Sequence, residues 1–129
     1  LVMLGYSFAQ LLSEEIQKIS PLKITLIKVK LAKKSPIQGE VSLDASTDLS
    51  NKVLILVDDV LNTGKTLAHS LQAFLKTPLK KIQTAILVDR NHRSFPISAD
   101  FVGYSLSTTV KEHVEVILDN EEKFGVYLY

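Results

Sequence analysis

The sequence predicts an α/β fold, a mostly parallel twisted sheet flanked by helices. Three observations carry that prediction. The run "KVLILV" (52–57) is apolar without alternation, as expected of a central strand buried on both faces. A helical pattern, "GKTLAHSLQAFLKT" (64–77), follows it closely. A second apolar strand, "KIQTAILVD" (81–89), comes next, and strand–helix–strand in that order joins parallel strands through a crossover helix.

The remaining elements follow from periodicity. "GYSFAQLLSEEIQKI" (5–19) places Phe8, Leu11, Leu12, Ile16 and Ile19 on one helical face, and Pro21 closes it. "LKITLIKVKL" (22–31) reads as a strand rich in β-branched residues. "AKKSPIQGEVSLDASTDLSN" (32–51) is polar and holds Pro36 and Gly39; it reads as a long loop or mobile hairpin, and long loops in small domains often serve as lids. In the helix from Gly64, Leu67, Leu71, Phe74 and Leu75 form the apolar face, and Pro78 ends it. "HRSFPI" (92–97) is a loop, "ADFVGYSL" (99–106) and "VEVILD" (114–119) are strands, and "KFGVYLY" (123–129) is a last one.

Composition narrows the class. A chain of 129 residues, 46% hydrophobic and 22% charged, suits one soluble domain with its own core. A net charge of +1 argues against a general polyanion binder. The absence of cysteine excludes disulfides and thiolate metal sites. No apolar run approaches the roughly 18 residues that span a bilayer. A cytoplasmic protein with no membrane partner is expected.

The chemistry concentrates in "VLILVDDVLNTGKTL" (53–67), where two adjacent carboxylates stand beside a polar turn. A nucleotide-binding P-loop needs glycine five positions before its Gly-Lys-Thr; Asp59 stands there, so that reading fails. Geometry offers another. Asp58 and Asp59 are expected to leave the strand end, one toward each side of the pleat. Leu61 to Gly64 would form the turn, and Thr66 would begin a helix. Its N–H groups, with the Asn62, Thr63 and Thr66 side chains, would form a cup for a phosphate monoester. Carboxylates close by suit a diol or a divalent cation. One ligand that offers phosphate, diol and a metal-binding pyrophosphate together is 5-phosphoribosyl-1-pyrophosphate (PRPP).

An apolar strand followed by "VDDVLNTGKT" resembles the PRPP signature of type I phosphoribosyltransferases. "AILVDRNHRSFPISADFVGYSLSTTVKEHVEVILDN" (85–120) is similar to the pyrimidine-operon attenuator/uracil phosphoribosyltransferase family, and the likeness covers roughly residues 53–128. It implies a type I phosphoribosyltransferase fold and transfer of phosphoribose from PRPP to a pyrimidine, uracil giving UMP, with Mg²⁺ as cofactor. Asp58 and Asp59 take the ribose, catalytic and metal role, the metal held through water. Val60, Leu61, Asn62, Thr63, Gly64, Lys65 and Thr66 form the phosphate loop. Arg90 matches an arginine beside the nucleobase, and Val114 a residue whose backbone meets the pyrimidine edge. An ion pair with Asp89 or Asp100 is the other reading of Arg90. His92 and Arg93 stand between plain surface residues and contacts to RNA or base; His69 and His113 are given no ligand role.

The departures from the family pattern also set expectations. A Lys/Arg-Thr-Arg-Gly loop that holds pyrophosphate should precede the first helix, yet "LVML" runs directly into "GYSFAQ". Residues 1–129 are therefore expected to be one phosphoribosyltransferase domain that lacks or does not show an N-terminal segment and the pyrophosphate loop: either residues are missing between Leu4 and Gly5 or before Leu1, which is the favoured reading, or the pyrophosphate site is degenerate. Where the family carries an Arg-Asp pair, this chain has Lys28, Lys30, Lys33 and Lys34, which either neutralise pyrophosphate from a lid over residues 30–45 or decorate a solvated hairpin. Asn91 replaces a family glycine and tolerates the same left-handed backbone. The family also implies a homo-oligomer, dimer or tetramer. Two rival functions remain: a nucleotide-responsive RNA-binding regulator of pyrimidine genes, and a PRPP- or nucleotide-binding protein without catalysis.

Overall fold

A computed structural model describes residues 2–3, 6–31, 41–43 and 48–129. Along the chain the elements are β1 (Val2–Met3), α1 (Tyr6–Ile19), β2 (Ile27–Leu31), β3 (Val41–Leu43), β4 (Val53–Leu61), α2 (Lys65–Gln72), β5 (Lys81–Asp89), β6 (Phe101–Ser105), β7 (Val114–Ile117) and β8 (Gly125–Leu128). The main sheet has the order β3-β2-β1-β4-β5-β6, and β7-β8 form a separate hairpin. Pairing is parallel from β2 through β6, and β3 alone runs antiparallel, against β2. This is the expected mostly parallel sheet with flanking helices.

The unbroken apolar character of β4 follows from its place at the middle of the sheet. Leu54 and Leu56 join Ile27, Leu67, Phe74 and Ile86 in one core cluster, on the side of α2. Val57 packs with Ala9 and Ala85 in a second cluster on the side of α1, with Ile55, Phe8 and Leu12 against it. Neighbouring side chains of one strand thus feed two cores, as the two-residue period of a strand requires.

Several boundaries differ from the expectation, each for a local reason. Residues 22–26 are not strand. β2 pairs with β1 from Ile27 onward, through Val2↔Ile27 and Met3↔Lys28, and residues 22–26 join no ladder among the described residues. Helix α2 ends at Gln72 rather than Thr77. Beyond it the bonding tightens, with Ala73 N–H on Ser70 O and Phe74 N–H on Leu71 O, and this turn buries Phe74 while leaving Leu75 70% exposed. Within 32–51, Val41–Leu43 form β3, which pairs antiparallel with β2 through Val29↔Leu43, Lys30↔Ser42 and Leu31↔Val41. Residues 32–40 and 44–47, with Lys33, Lys34 and most of the expected lid, lie outside the described residues, as does the Leu4–Gly5 junction. Among the described residues no helix is long and apolar enough to cross a membrane.

Candidate phosphate and ribose site

In open α/β sheets, ligands settle outside the carboxyl ends of the strands where the strand order reverses. Here that reversal falls between β1 and β4, and β4 delivers the acidic pair to it. The pair does not leave the strand. Strand β4 runs through both aspartates to Leu61, in register with β5 at Asp58↔Ile86, Val60↔Val88 and Leu61↔Asp89. The parallel ladder carries two poor strand formers, and each carboxylate also accepts the next N–H: Asp59 N–H on Asp58 Oδ1 (2.9 Å) and Val60 N–H on Asp59 Oδ1 (2.8 Å).

The turn that follows is held from three directions. Gly64 has φ 86°, in the left-handed region, and a Cβ built there would stand 3.3 Å from Ile97 Cβ. Thr63 O accepts the N–H groups of Ser94 (3.0 Å) and Phe95 (3.1 Å), and Leu61 O accepts that of Arg90 (3.1 Å). The β5–β6 connection is therefore a buttress of the turn. Helix α2 begins at Lys65, one residue earlier than expected, and its first internal bond is Ala68 N–H to Gly64 O (3.0 Å). Lys65 N–H is taken by Thr63 Oγ1 (3.3 Å), while those of Thr66 and Leu67 precede the internal ladder. Asp58 and residues 60–67 line a small depression of about 40 Å³ at this helix start. Its donors and the helix dipole suit an anion the size of a phosphate.

Asp58 has the more perturbed environment of the acidic pair. Burial, then the hydrogen bond and charge of neighbouring Asp59, push its carboxyl up to about 7. Two adjacent carboxylates supply the hard oxygen donors that Mg²⁺ takes. Among the described residues no group of three His, Cys, Asp or Glu surrounds a common point, so the pair fits an ion completed by water or ligand oxygens rather than a protein-only cage.

Arg90 closes the site toward the hairpin. Its guanidinium donates to Thr108 Oγ1 (3.0 Å, from Nε), Asn62 Oδ1 (2.8 Å, from Nη1) and the carbonyls of Thr109 and Glu112 (from Nη2). The expected alternative, an ion pair with Asp89 or Asp100, does not form. Asp89 instead accepts the Asn91 N–H at 2.9 Å, and Asn91 has the left-handed φ of 58° that its sequence position demanded. His92 Nε2 meets the carbonyl of Thr108, and Arg93 Nη1 donates to Ile97 O at 3.3 Å. Sequence reasoning missed Thr108, Thr109 and Glu112 as partners; the Ser/Thr-rich stretch ahead of a Val-rich strand was their only signal.

Val114 opens β7 and is buried. His113 and Tyr129 exchange both backbone bonds (3.1 and 2.9 Å), so the adjacent pair Val114↔Leu128 is the wide, non-bonded kind. The N–H and C=O of Val114 consequently turn away from β8, free of the hairpin. Lys28 and Lys30 lie on β2, which runs parallel to β1 and so approaches the same sheet edge as the aspartates. His69 is half-buried on α2.

Comparison with known proteins gives the family and the fold. The model of the phosphoribosyl transferase domain family matches residues 2–121. Proteins named "Bifunctional protein PyrR" are similar in sequence. That of Macrococcus caseolyticus is 36% identical over 96% of this chain and 76% of its own length. That of Staphylococcus aureus is 40% identical over 79% of this chain and 59% of its own. The chain thus spans about three-fifths to three-quarters of these relatives. Among solved structures, a hypoxanthine phosphoribosyltransferase of Trypanosoma cruzi superposes with a TM-score of 0.77 at 17% identity, over 96% of this chain and 69% of that one. A hypoxanthine-guanine phosphoribosyltransferase of Bacillus anthracis gives 0.70 at 20%, over 95% and 72%. At such identities these structures establish the fold, that of the type I phosphoribosyltransferases, and nothing finer.

Proposed function

The chain belongs to the phosphoribosyl transferase family, and from that premise we propose that it transfers phosphoribose from PRPP to a pyrimidine, uracil giving UMP. The observation that carries this reading is the depression lined by Asp58 and residues 60–67 at the sheet's switch point, where a helix start stands beside the first of the two aspartates. The phosphate of PRPP occupies the turn of Val60, Leu61, Asn62, Thr63, Gly64, Lys65 and Thr66. Asp58 and Asp59 accept hydrogen bonds from the ribose hydroxyls and hold Mg²⁺ through water. When bound, that ion neutralises charge on the departing pyrophosphate.

In the reaction the C1′–oxygen bond to pyrophosphate breaks, a C1′–nitrogen bond to the base forms, and the nitrogen loses its proton. Positive charge develops on the ribose ring, and the fixed carboxylates of Asp58 and Asp59 face it. The outward N–H and C=O of Val114 read the edge of the base, and the fork of Arg90 lies beside it. Lys28 and Lys30 approach the pyrophosphate from β2. No covalent nucleophile is required. Residues 1–129 act as one phosphoribosyltransferase domain within a homo-oligomer, in the cytoplasm.

Turnover with PRPP and Mg²⁺ across uracil, hypoxanthine, guanine, xanthine and orotate tests the reading: uracil should lead, and no product from any base would overturn it. Asp58→Asn and Asp59→Asn should each lower the rate by about 10²-fold or more, as loss of a preorganised electrostatic contact does. An unchanged rate would remove them from the chemistry.

The word "bifunctional" in the relatives' names favours a second reading alongside the first, a nucleotide-responsive RNA-binding regulator. A mobility shift with pyrimidine-leader RNA that weakens steeply with salt would support it.

A further inference from the structure

Arg90 is committed to protein acceptors more fully than a residue reserved for a ligand would be. Four of its five N–H donors are used: one by Asn62 in the phosphate turn, and three by Thr108, Thr109 and Glu112 in the segment that leads into Val114. Among the described residues no hydrogen bond links Asn62 to that segment directly, so Arg90 is the bridge between them. The segment is also internally braced. Thr109 N–H donates to the Glu112 carboxylate, and the His92 ring meets the Thr108 carbonyl. Its path is therefore set by the residues that Arg90 gathers. Arg90 itself is anchored at the end of β5, its N–H bonded to Leu61 O at 3.1 Å. A lysine could not substitute, since a single ammonium lacks the planar fork that serves acceptors lying in three directions.

We propose that Arg90 is a positioning residue that transmits occupancy of the phosphate turn, through Asn62, to the 106–113 segment and so to the backbone of Val114. The proposal rests on the phosphoribosyl reading of the turn. A phosphate monoester fixes Asn62, Asn62 fixes the guanidinium, and the guanidinium fixes the carbonyls of Thr109 and Glu112. Coupling of this kind is reciprocal, so a base seated against Val114 tightens the hold on the sugar phosphate. The one N–H left on Nη1 remains for the ligand itself.

Amide hydrogen exchange of the whole chain, with ribose 5-phosphate as the probe, decides the matter. Without ligand, Asn62→Ala, Arg90→Lys and Thr108→Val should each speed exchange across 109–113, by roughly tenfold for a lost charge-assisted bond, while β5 and α2 keep their rates. Saturating ribose 5-phosphate should slow that segment in the wild-type chain, and much less in Arg90→Lys or Asn62→Ala at concentrations that saturate them. Unchanged exchange in the ligand-free Asn62→Ala chain, or a full ligand response in Arg90→Lys, would overturn the transmission. Binding of ribose 5-phosphate without any response of 109–113 would do the same and leave the phosphoribosyl reading standing. Failure of ribose 5-phosphate to bind the wild-type chain would instead overturn that reading, and the transmission with it.

Discussion

Asp58 sets stability against chemistry. Burial and the neighbouring Asp59 raise its carboxyl from an ordinary 3.8 to about 7, so the folded chain holds a proton that the unfolded chain releases. The sign follows from linkage. Its contribution is fully present below the unfolded value, declines as pH rises, and is lost through the folded value. Ligand-free wild-type protein should therefore lose up to a few kcal/mol of stability between about pH 4 and pH 7, and urea midpoints across that range would read the loss. Asp58→Asn should flatten the decline and be more stable at neutral pH while losing turnover; a variant with the wild-type slope would clear Asp58 of the effect. Gly64 makes the opposite case, with no charge and no freedom to change. Gly64→Ala forces a left-handed alanine against Ile97 and should cost about 1–2 kcal/mol, read as a lower urea midpoint at unchanged m. Both residues were legible in the sequence, as was the backbone of Asn91, because each belongs to a short motif whose geometry is local. The commitments of Arg90 were not, since three of its partners lie 18 to 22 residues downstream in a segment without periodicity and the fourth, Asn62, lies 28 residues upstream.

Elements were legible where the pattern was long and wrong at their ends, where partners decide. The reading of β5 as a strand over 81–89 held because eight of its nine residues pair with β4 and four of those also with β6, whereas β2 begins at Ile27, five residues late. The acidic pair was expected to leave the strand where the apolar run stops; the parallel ladder to β5 instead carries β4 through it, although Asp is a poor strand former. The edge strand β6 depends on a tie that periodicity does not reveal. Asp100, one residue before it, accepts the N–H of buried Thr84 at 2.8 Å through Oδ2, and its own N–H donates to Thr84 Oγ1 and O, both at 3.1 Å. Asp100→Ala leaves that N–H without its acceptor and should cost about 1–3 kcal/mol, while Asp100→Asn, which keeps an acceptor oxygen, should cost less. Equal midpoints for the two variants would show that the carboxylate does not fasten β6.

The architecture as a whole explains why the family was more legible in the sequence than the element boundaries. Parallel strands send all their carboxyl ends to one edge, so the acidic pair with its following turn, Lys28 and Lys30 of β2, and Arg90 after β5 reach that edge from three separate stretches of sequence. Convergence makes a thermodynamic prediction about the entire chain. A ligand that binds only the folded state stabilises it by RT ln(1 + [L]/Kd), about 2.7 kcal/mol at a hundredfold excess over Kd. For a chain of this size that corresponds to a rise in Tm of roughly 10 °C. Ribose 5-phosphate should give such a rise at saturating concentration whether or not Mg²⁺ is present, because the turn and helix start need no metal to hold a monoester. PRPP with Mg²⁺ should exceed it, since the acidic pair and the lysines of β2 then act on the pyrophosphate as well. EDTA should remove the part of that surplus that the acidic pair supplies through the ion and leave the shares of the lysines and the ribose phosphate intact. An equal shift for PRPP before and after chelation would show that the aspartates grip the sugar alone, and no shift with either ligand would show that the turn is not a phosphate site.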